Sequence, residues 1–435
     1  MSGLMIAAPA SGSGKTTVTL GLLRALADEG VALSPGKAGP DYIDPAFHAA
    51  ASRSDCLNYD PWAMRPELLA AHASEQRHGG RLLLIEAMMG LFDGAADGSG
   101  SPADLAAMLG LPVVLVVDCS RLSHSVAAMV SGFADFRNDV SVRGVILNKV
   151  GSARHEAMLR DALGKAGVSV LGALPRDGLL ALPERHLGLV QAGEHGALED
   201  FIRHAAETMR SLLDFRQLLS IAGEADVCGD TQRSVRLPPL GQRIAIARDN
   251  AFAFLYPHLL QGWQHQGAQL DFFSPLRDEA PQADCDAVFL PGGYPELHGD
   301  ALANAGNFRN GMLAAAARGA RIYGECGGYM TLGEGLVAAD GERHRMLGLL
   351  PLVTSFAERR RHLGYRRVVP FAGSGFEAPM TAHEFHYSTV VEEGVADRLF
   401  RARDAAGQDL GMVGLRHGSV CGSYMHLIDL AAGVP

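Results

Sequence analysis

The sequence has no Cys-x-x-Cys pair: its six cysteines, Cys56, Cys119, Cys228, Cys285, Cys326 and Cys421, are scattered along 435 residues. This excludes a zinc ribbon and a dense disulfide framework, and fits a reducing cytoplasm. Positive charge is not in excess either, since 38 Lys and Arg stand against 48 Asp and Glu, a formal net charge of -10. A general affinity for nucleic acid or for an anionic membrane is therefore not expected. No apolar run approaches the roughly 20 residues of a membrane-spanning helix. The N-terminus, MSGLMIAAPASGSGKTT, has no basic segment ahead of an apolar one, so no signal peptide is expected. Internal repeats and low-complexity tracts are absent as well. What is present is 48% hydrophobic residues and 52 glycines, enough apolar material for two or three cores at roughly 150 residues per domain.

Short apolar runs resembling buried parallel strands recur with helical segments between them: Leu4 to Ala8, Arg81 to Ile85, Val113 to Val117, Gly144 to Leu147 and Leu171 to Leu174. Glu194 to Ile221 reads as a helix closing the first domain. Gly223 to Leu240, with its Cys-Gly-Asp turn and Pro238-Pro239, reads as a linker. A second alternation follows, with strands at Ile244 to Ala247, Ala287 to Leu290, Arg321 to Tyr323 and Met412 to Leu415, and a helix at Asn304 to Arg318. The fold class is α/β, two doubly wound domains, with expected bounds 1–222 and 241–435 around a linker at 223–240.

Gly12, Ser13, Gly14, Lys15, Thr16 and Thr17 follow the first strand and precede the apolar helical run Val18 to Leu26. This is the setting of a phosphate-binding loop. Glycines turn backbone N–H groups inward, the helix N-terminus adds positive potential, Lys15 reaches the outer phosphates and the Thr16 hydroxyl can ligate Mg²⁺. Pro9 stands where the full G-x-x-x-x-G-K-[ST] pattern has its first glycine, so the loop begins differently. Next comes Lys37-Ala38-Gly39-Pro40-Asp41-Tyr42-Ile43-Asp44-Pro45, followed by His48. Its lysine and carboxylates could hold a metal, a phosphate or a polyanionic substrate, although a solvated turn capped by aspartates would look alike. Glu86, at the carboxyl end of a buried strand, is the candidate Mg²⁺ ligand. Asp93 lies in a glycine-flanked loop and could position an acceptor, hold a second metal or simply make an Asx turn. Asn148 ends another strand, where its two-sided amide could read a nucleotide base.

In the second half, Gly324-Glu325-Cys326-Gly327-Gly328 fits a nucleophile elbow with cysteine in place of serine. Small neighbours permit the sharp turn, and a helix N-terminus favours the thiolate. A cysteine nucleophile needs a proton acceptor, and His426 in Gly422-Ser423-Tyr424-Met425-His426 is well placed, with His417, His383 and His386 as competitors. The turn Pro291-Gly292-Gly293-Tyr294-Pro295 offers bare N–H groups, at Gly292 and Gly293, for an oxyanion hole.

In this order, GSGKTT, KAGPDYIDPAFH, EAMMGLFDG, PGGYPELHG, GECGGYM, TAHEFHYS and GSYMH resemble the cobyrinic acid and hydrogenobyrinic acid a,c-diamide synthase family over nearly the whole chain. The resemblance implies an N-terminal P-loop NTPase-like ligase domain similar to dethiobiotin synthetase, and a C-terminal class I glutamine amidotransferase-like domain of the cobyric acid synthase type. It implies a cytoplasmic homodimer acting on a tetrapyrrole polycarboxylate, L-glutamine and ATP. Cys326 and His426 would release ammonia from glutamine. ATP would lie on Gly12 to Thr17 and Asn148, with Mg²⁺ near Thr16, Asp41 and Glu86, and with Lys37, Tyr42, Asp44 and Asp93 on the substrate side. Many class I enzymes carry His-Pro-Glu, whereas this chain has His426-Leu427-Ile428-Asp429. The orienting residue would then come from elsewhere, such as Glu384, or a dyad suffices. Cobyric acid synthase shares the layout, but the Lys37 to Pro45 run favours the a,c-diamide synthases; the motifs leave open whether the ring carries cobalt, nickel as in the nickel sirohydrochlorin a,c-diamide synthases, or no metal. CTP synthase has a longer synthetase domain and keeps His-Pro-Glu. A ParA-like switch ATPase carrying a non-catalytic amidotransferase-like module is the reading of another class. Its second lysine is missing where Ala10 and Ser11 stand, and the intact elbow argues against it.

Overall fold

The computed structural model describes residues 2–180, 184–185, 188–189, 196–223 and 234–433. They form two compact units, Met1–Ser234 and Val235–Pro435. Most of the linker expected at 223–240 lies outside the described residues. Its last part, Leu237 and Leu240, is buried against Trp263 and Phe289 of the second unit.

In the first unit β1 (Gly3–Ala7), α1 (Lys15–Asp28), β2 (Leu33–Ala38), α2 (Asp44–Ser52), β3 (Leu57–Tyr59), α3 (Pro66–Gln76), β4 (Leu82–Glu86), α4 (Pro102–Met108), β5 (Val113–Asp118), α5 (Ser125–Asp135), β6 (Val142–Val150), α6 (Ala153–Lys165) and β7 (Val170–Pro175) alternate. A short pair, β8 (Glu184–Arg185) and β9 (Gly188–Leu189), follows, then α7 (Leu198–Leu212) and α8 (Phe215–Gly223). The seven main strands are parallel in the order β3-β2-β4-β1-β5-β6-β7. β1 and β4 are buried at every position, which is why they read as unbroken apolar runs. The carboxyl ends of β1, β2, β4 and β6 converge, so four loops remote in sequence meet at one edge. The expected helix at 194–221 is two: Leu213 adopts extended backbone (φ -109°, ψ 146°) and ends α7, and α8 starts afresh at Phe215. α7 turns Phe201, Ile202, Ala205, Ala206 and Met209 inward. It lies so close to α1 that a Cβ on Gly21 would stand 2.6 Å from Met209 and 2.8 Å from the Ala205 carbonyl oxygen.

The second unit contains β10 (Arg243–Ala247), α9 (Pro257–His265), β11 (Gln269–Phe273), β12 (Ala287–Leu290), α10 (Gly299–Asn304), α11 (Gly306–Ala317), β13 (Arg321–Glu325), α12 (Gly327–Leu332), β14 (Gly335–Val337), β15 (Arg343–Arg345), β16 (Leu352–Ser355), β17 (His362–Pro370), β18 (Met380–His386), β19 (Thr389–Glu393), β20 (Asp397–Asp404), β21 (Asp409–His417), β22 (Val420–Ser423) and β23 (Met425–Leu430). The expected helix at 304–318 therefore begins at Gly306, because Ala305 (ψ 85°) separates it from α10. Ten strands form one sheet, β11-β10-β12-β13-β22-β21-β20-β17-β18-β23. Its first five are parallel and the rest antiparallel. Strands β22 and β23 are fifth and tenth in that order, yet only Tyr424 joins them. The sheet must curl until its last strand returns beside the middle, and this fold-back brings β23 to the elbow. A four-stranded sheet, β15-β14-β16-β19, completes the unit. Among the described residues no helix is long and apolar enough to cross a membrane.

Candidate active sites

Each unit carries one cluster of chemistry. In the first, Gly14 caps α1 at φ 91°, and a Cβ there would stand 2.3 Å from the Asn148 amide nitrogen. Only glycine combines that backbone with that approach. The Asn148 amide donates to the Ser13 carbonyl (2.9 Å), and Lys149 Nζ reaches the Gly12 carbonyl (3.1 Å) and Asp118 (2.7 Å), so the end of β6 clamps the loop. Lys15 Nζ donates to the Met89 carbonyl (2.6 Å), which turns toward it from a strained left-handed residue (φ 51°). Burial lowers the Lys15 pKa against the pull of Glu86.

Glu86 is the hub. One oxygen accepts from the Thr16 hydroxyl (2.7 Å) and Lys37 Nζ (3.0 Å), and the other lies 2.6 Å from His48 Nε2. Lys37 also donates to Asp44 (2.6 Å). Burial alone would strip the charge from both partners. Asp44 and Glu86 outweigh it and hold the Lys37 pKa up, and Lys37 with His48 holds the Glu86 pKa down. Asp41 accepts from the Ile43 and Asp44 N–H groups (2.8 and 3.0 Å), and burial together with Asp44 pushes its pKa up to about 6. A cavity of about 530 Å³ is lined by Gly12, Gly14, Lys15, Thr16, Thr17, Lys37, Asp41, Asp44, Glu86 and Asn148, among others. Tyr42 and Asp93 are not on its wall: Tyr42 is buried, and Asp93 is exposed and accepts from the Gly90 N–H (2.8 Å). Lys37, expected on the substrate side, has its ammonium engaged by two carboxylates. His48, one turn after Asp44 on the same face of α2, joins this cluster. The i, i+4 spacing was the available signal.

In the second unit Cys326 sits between β13 and α12 at φ 46°, ψ -105°, a strained turn of the kind that projects a nucleophile. Its N–H donates to the Ser423 carbonyl (2.8 Å) on β22. His426 on β23 is fully buried, and a Cβ on Gly292 would stand 2.3 Å from its Cε1, 3.2 Å from its Nε2 and 3.3 Å from Cys326 Cβ. Thiol, imidazole and glycine therefore share one small space. Gly293 is equally confined, since a Cβ on Gly327 would lie 2.9 Å from its nitrogen. Burial, with Glu296 nearby, raises the Cys326 pKa, and burial pushes that of His426 down to about 3. At rest the pair is neutral, a thiol facing an uncharged imidazole. His417 is exposed at the end of β21, paired with Val420 at the opposite end of β22 from Ser423, and is excluded as the partner.

Glu384 does not serve His426. Its carboxylate accepts from Arg366 (2.7 Å) and lies 3.1 Å from His386 Nε2; burial opposes the charge, but these partners bring its pKa down to about 2. The carboxylate that faces His426 is Glu325, whose Oε2 lies 3.8 Å from Nδ1 while its Oε1 accepts the Leu427 N–H (3.0 Å). Burial pushes the Glu325 pKa up to about 8. In the sequence this glutamate reads only as a spacer in the elbow.

Residues 4–190 match the family described as CobQ/CobB/MinD/ParA nucleotide binding domain, and residues 243–433 match that of CobB/CobQ-like glutamine amidotransferase domain. A hydrogenobyrinate a,c-diamide synthase of a Sinorhizobium species is 68% identical over 99% of both chains. The chain belongs to the hydrogenobyrinate a,c-diamide synthase family. Proteins so named from Rhizobium meliloti (strain 1021), 66% identical over 99% of this chain and 100% of that one, and from Rhodobacter capsulatus, 50% identical over 98% of each, extend the match. In this synthase the first unit is a nucleotide-binding domain and the second a glutamine amidotransferase domain, as the two sets of motifs led one to expect.

Two expected results follow from the second unit's packing. Gly292→Ala places a methyl between thiol and imidazole, and should cut glutamine-dependent turnover by about 10²-fold while sparing turnover with ammonium; comparing the two nitrogen donors checks this. His258, His383 and His426 are buried, and burial lowers their pKa values to about 4, 3 and 3. Below about pH 6.5 the unfolded chain takes up protons that the folded one refuses, so stability falls with pH by about 1.4 kcal/mol per unit for each such histidine. Calorimetry between pH 7 and 5 should show a steep fall of the unfolding midpoint, and a smaller slope in His258→Gln.

Proposed function

We propose that the protein amidates the a and c carboxylates of hydrogenobyrinic acid in cobalamin biosynthesis, with glutamine as nitrogen donor and ATP as activator. The reading is carried by one observation: a buried thiol–imidazole elbow and a phosphate-binding loop ringed by acid occur in a single chain. The named relatives favour the metal-free ring over its cobalt or nickel counterparts. A carboxylate is inert to ammonia at neutral pH, which is why nucleotide and amidotransferase belong together.

In the second unit Cys326 gives its proton to His426 and its sulfur attacks the side-chain amide carbon of glutamine, with the Gly292 and Gly293 N–H groups receiving the oxyanion. The C–N bond breaks, ammonia leaves with the proton held by His426, and water hydrolyses the thioester to glutamate. In the first unit the loop Gly12 to Thr17 and Lys15 hold the ATP phosphates, and Asn148 lies toward the base. Thr16, Asp41 and Glu86 offer only oxygen donors in one cavity, a set that fits Mg²⁺. When bound, that ion neutralises charge on the β- and γ-phosphates. A ring carboxylate attacks the γ-phosphorus and ADP leaves. Ammonia then attacks the acyl carbon, the C–O bond breaks and phosphate departs. Lys37 holds the Asp44 and Glu86 carboxylates in place and keeps Glu86 charged, and Asp44 on the cavity wall, with Tyr42 and Asp93 in turns nearby, belongs to the acceptor's side. Residues 1–222 form the ligase, 223–240 the linker and 241–435 the amidotransferase of a cytoplasmic homodimer.

The test is mass spectrometry of hydrogenobyrinic and cobyrinic acids incubated with ATP, Mg²⁺ and glutamine. Two successive carboxylate-to-amide steps on hydrogenobyrinic acid are expected. ATP hydrolysis with no mass change on either ring would reject the substrate.

A further inference from the structure

We infer that Glu325, the residue immediately before the nucleophile, is the positioning residue that orients His426 in the glutaminase site. Class I sites that carry His-Pro-Glu place the carboxylate two residues after the histidine, where this chain has Ile428, whose carbonyl lies 2.9 Å from His258 Nε2. Asp429 is paired across the ladder with Thr381 and its carbonyl accepts that hydroxyl (3.2 Å). Glu384, on the neighbouring strand β18, is committed to Arg366 and His386. Glu325 Oε2 lies 3.8 Å from Nδ1, and both side chains are almost wholly buried (3% and 0% exposed).

The arrangement has the two anchors that orientation requires. Glu325 ends β13, directly beside Ser423 of β22, and its Oε1 is held by the Leu427 N–H, the amide that follows His426 on β23. The carboxyl is thereby tied to the strand that carries the imidazole, and its second oxygen is presented to the ring. As the sulfur bonds to the amide carbon, the thiol proton moves to Nε2. The ring's positive charge then develops with Nδ1–H pointed at Oε2. The Nε2 proton leaves with the amide nitrogen, and the ring is neutral again for the attack by water. A gap of 3.8 Å is longer than a hydrogen bond, and tightens when a charge-assisted bond becomes available in the reacting complex. The charged and titratable neighbours are His383, His386 and Glu384 of β18 around His426, and Tyr323 and Cys326 of its own segment around Glu325. Glu296 stands near Cys326, and Glu384, held by Arg366 and His386, is the other carboxylate acting on the ring.

This inference rests on the glutaminase reading above, and the test separates the two. In the full enzyme Glu325→Gln keeps an oxygen for the Leu427 N–H but puts an amide NH₂ where Oε2 faces Nδ1. The expected result is a fall in glutamine-dependent kcat of about 10²-fold, with KM for glutamine within about twofold and ammonium-dependent amidation intact. Alkylation of Cys326 by iodoacetamide, followed by peptide mapping across a range of pH, should slow several-fold, because an imidazole that Oε2 no longer orients accepts the thiol proton less well. A variant with wild-type kcat and an unchanged alkylation profile would overturn the inference. So would a loss of kcat matched by an equal rise in KM, or Cys326 alkylating as fast as in the denatured chain, since either would make Glu325 a structural prop only. Absence of glutamine turnover in the wild type would instead sink the glutaminase reading itself.

Discussion

Cys326→Ala should abolish glutamine-dependent amidation, by about 10⁴-fold or more, and leave ammonium-dependent amidation near the wild-type rate. The argument starts from the resting pair. Burial leaves the thiol protonated and the imidazole neutral, so nothing else in the pocket is a ready nucleophile, and without sulfur there is no covalent route to the amide carbon. The alanine side chain fills less space than the thiol, sits in the same strained turn and leaves the nucleotide-binding unit untouched. A glutaminase and ammonium assay on one preparation reads both activities. Loss of ammonium-dependent activity as well would mean that the elbow supports more than glutamine hydrolysis.

Lys15→Ala should produce the converse: amidation falls by about 10²–10³-fold with either donor, and hydrolysis of glutamine persists. The ammonium of Lys15 is buried at the mouth of the loop, where its charge is costly to keep and therefore strong in effect. Its partner in this structure is the Met89 carbonyl, a bond that phosphate oxygens would replace. Isothermal titration with a non-hydrolysable ATP analogue should show weakened binding, and a variant with unchanged affinity and turnover would remove Lys15 from the phosphate site.

What could be read from the residues alone follows a physical rule. Strands buried on both faces are unbroken apolar runs, so β1, β4 and β5 were visible to within a residue or two, and the glycine-rich turns beside them marked the phosphate loop and the elbow. β2 escaped because it reads Leu-Ser-Pro-Gly-Lys-Ala. It is an interior strand all the same, between β3 and β4, with Gly36 pressed between Ile85 and Tyr59 where a Cβ would have 2.9 Å on each side. Most of the antiparallel half of the second sheet escaped for another reason. β17, β20 and β21 have one face half in water, and their mixtures of charged residues, glycine and apolar residues give no clean alternation. The break at Leu213 is followed by Asp214, whose carboxylate accepts the Gln217 N–H (2.9 Å) and restarts the helix, and that at Ala305 is followed by Gly306; both are weak signals inside an otherwise helical pattern. Glu325 was hidden differently. Its role depends on β23 folding back beside β13, a contact across about a hundred residues that no local pattern encodes.

The elbow is walled by Gly292, Gly293, Gly324, Gly327 and Gly328, and a Cβ at any of them would fall within about 3 Å of another group; at Gly328 the Leu290 carbonyl oxygen would be only 1.9 Å away. That side of the pocket is a mould cast in main chain. Its dimensions cannot be adjusted by exchanging side chains, because there is no smaller residue to choose and no room for a larger one. Any adaptation to a different nitrogen donor must be written in side chains near the imidazole, such as Glu384, Arg366, His386 and the Tyr424 ring stacked on His386 (3.7 Å between centroids). A directed-evolution library aimed at donor choice would find its gains there.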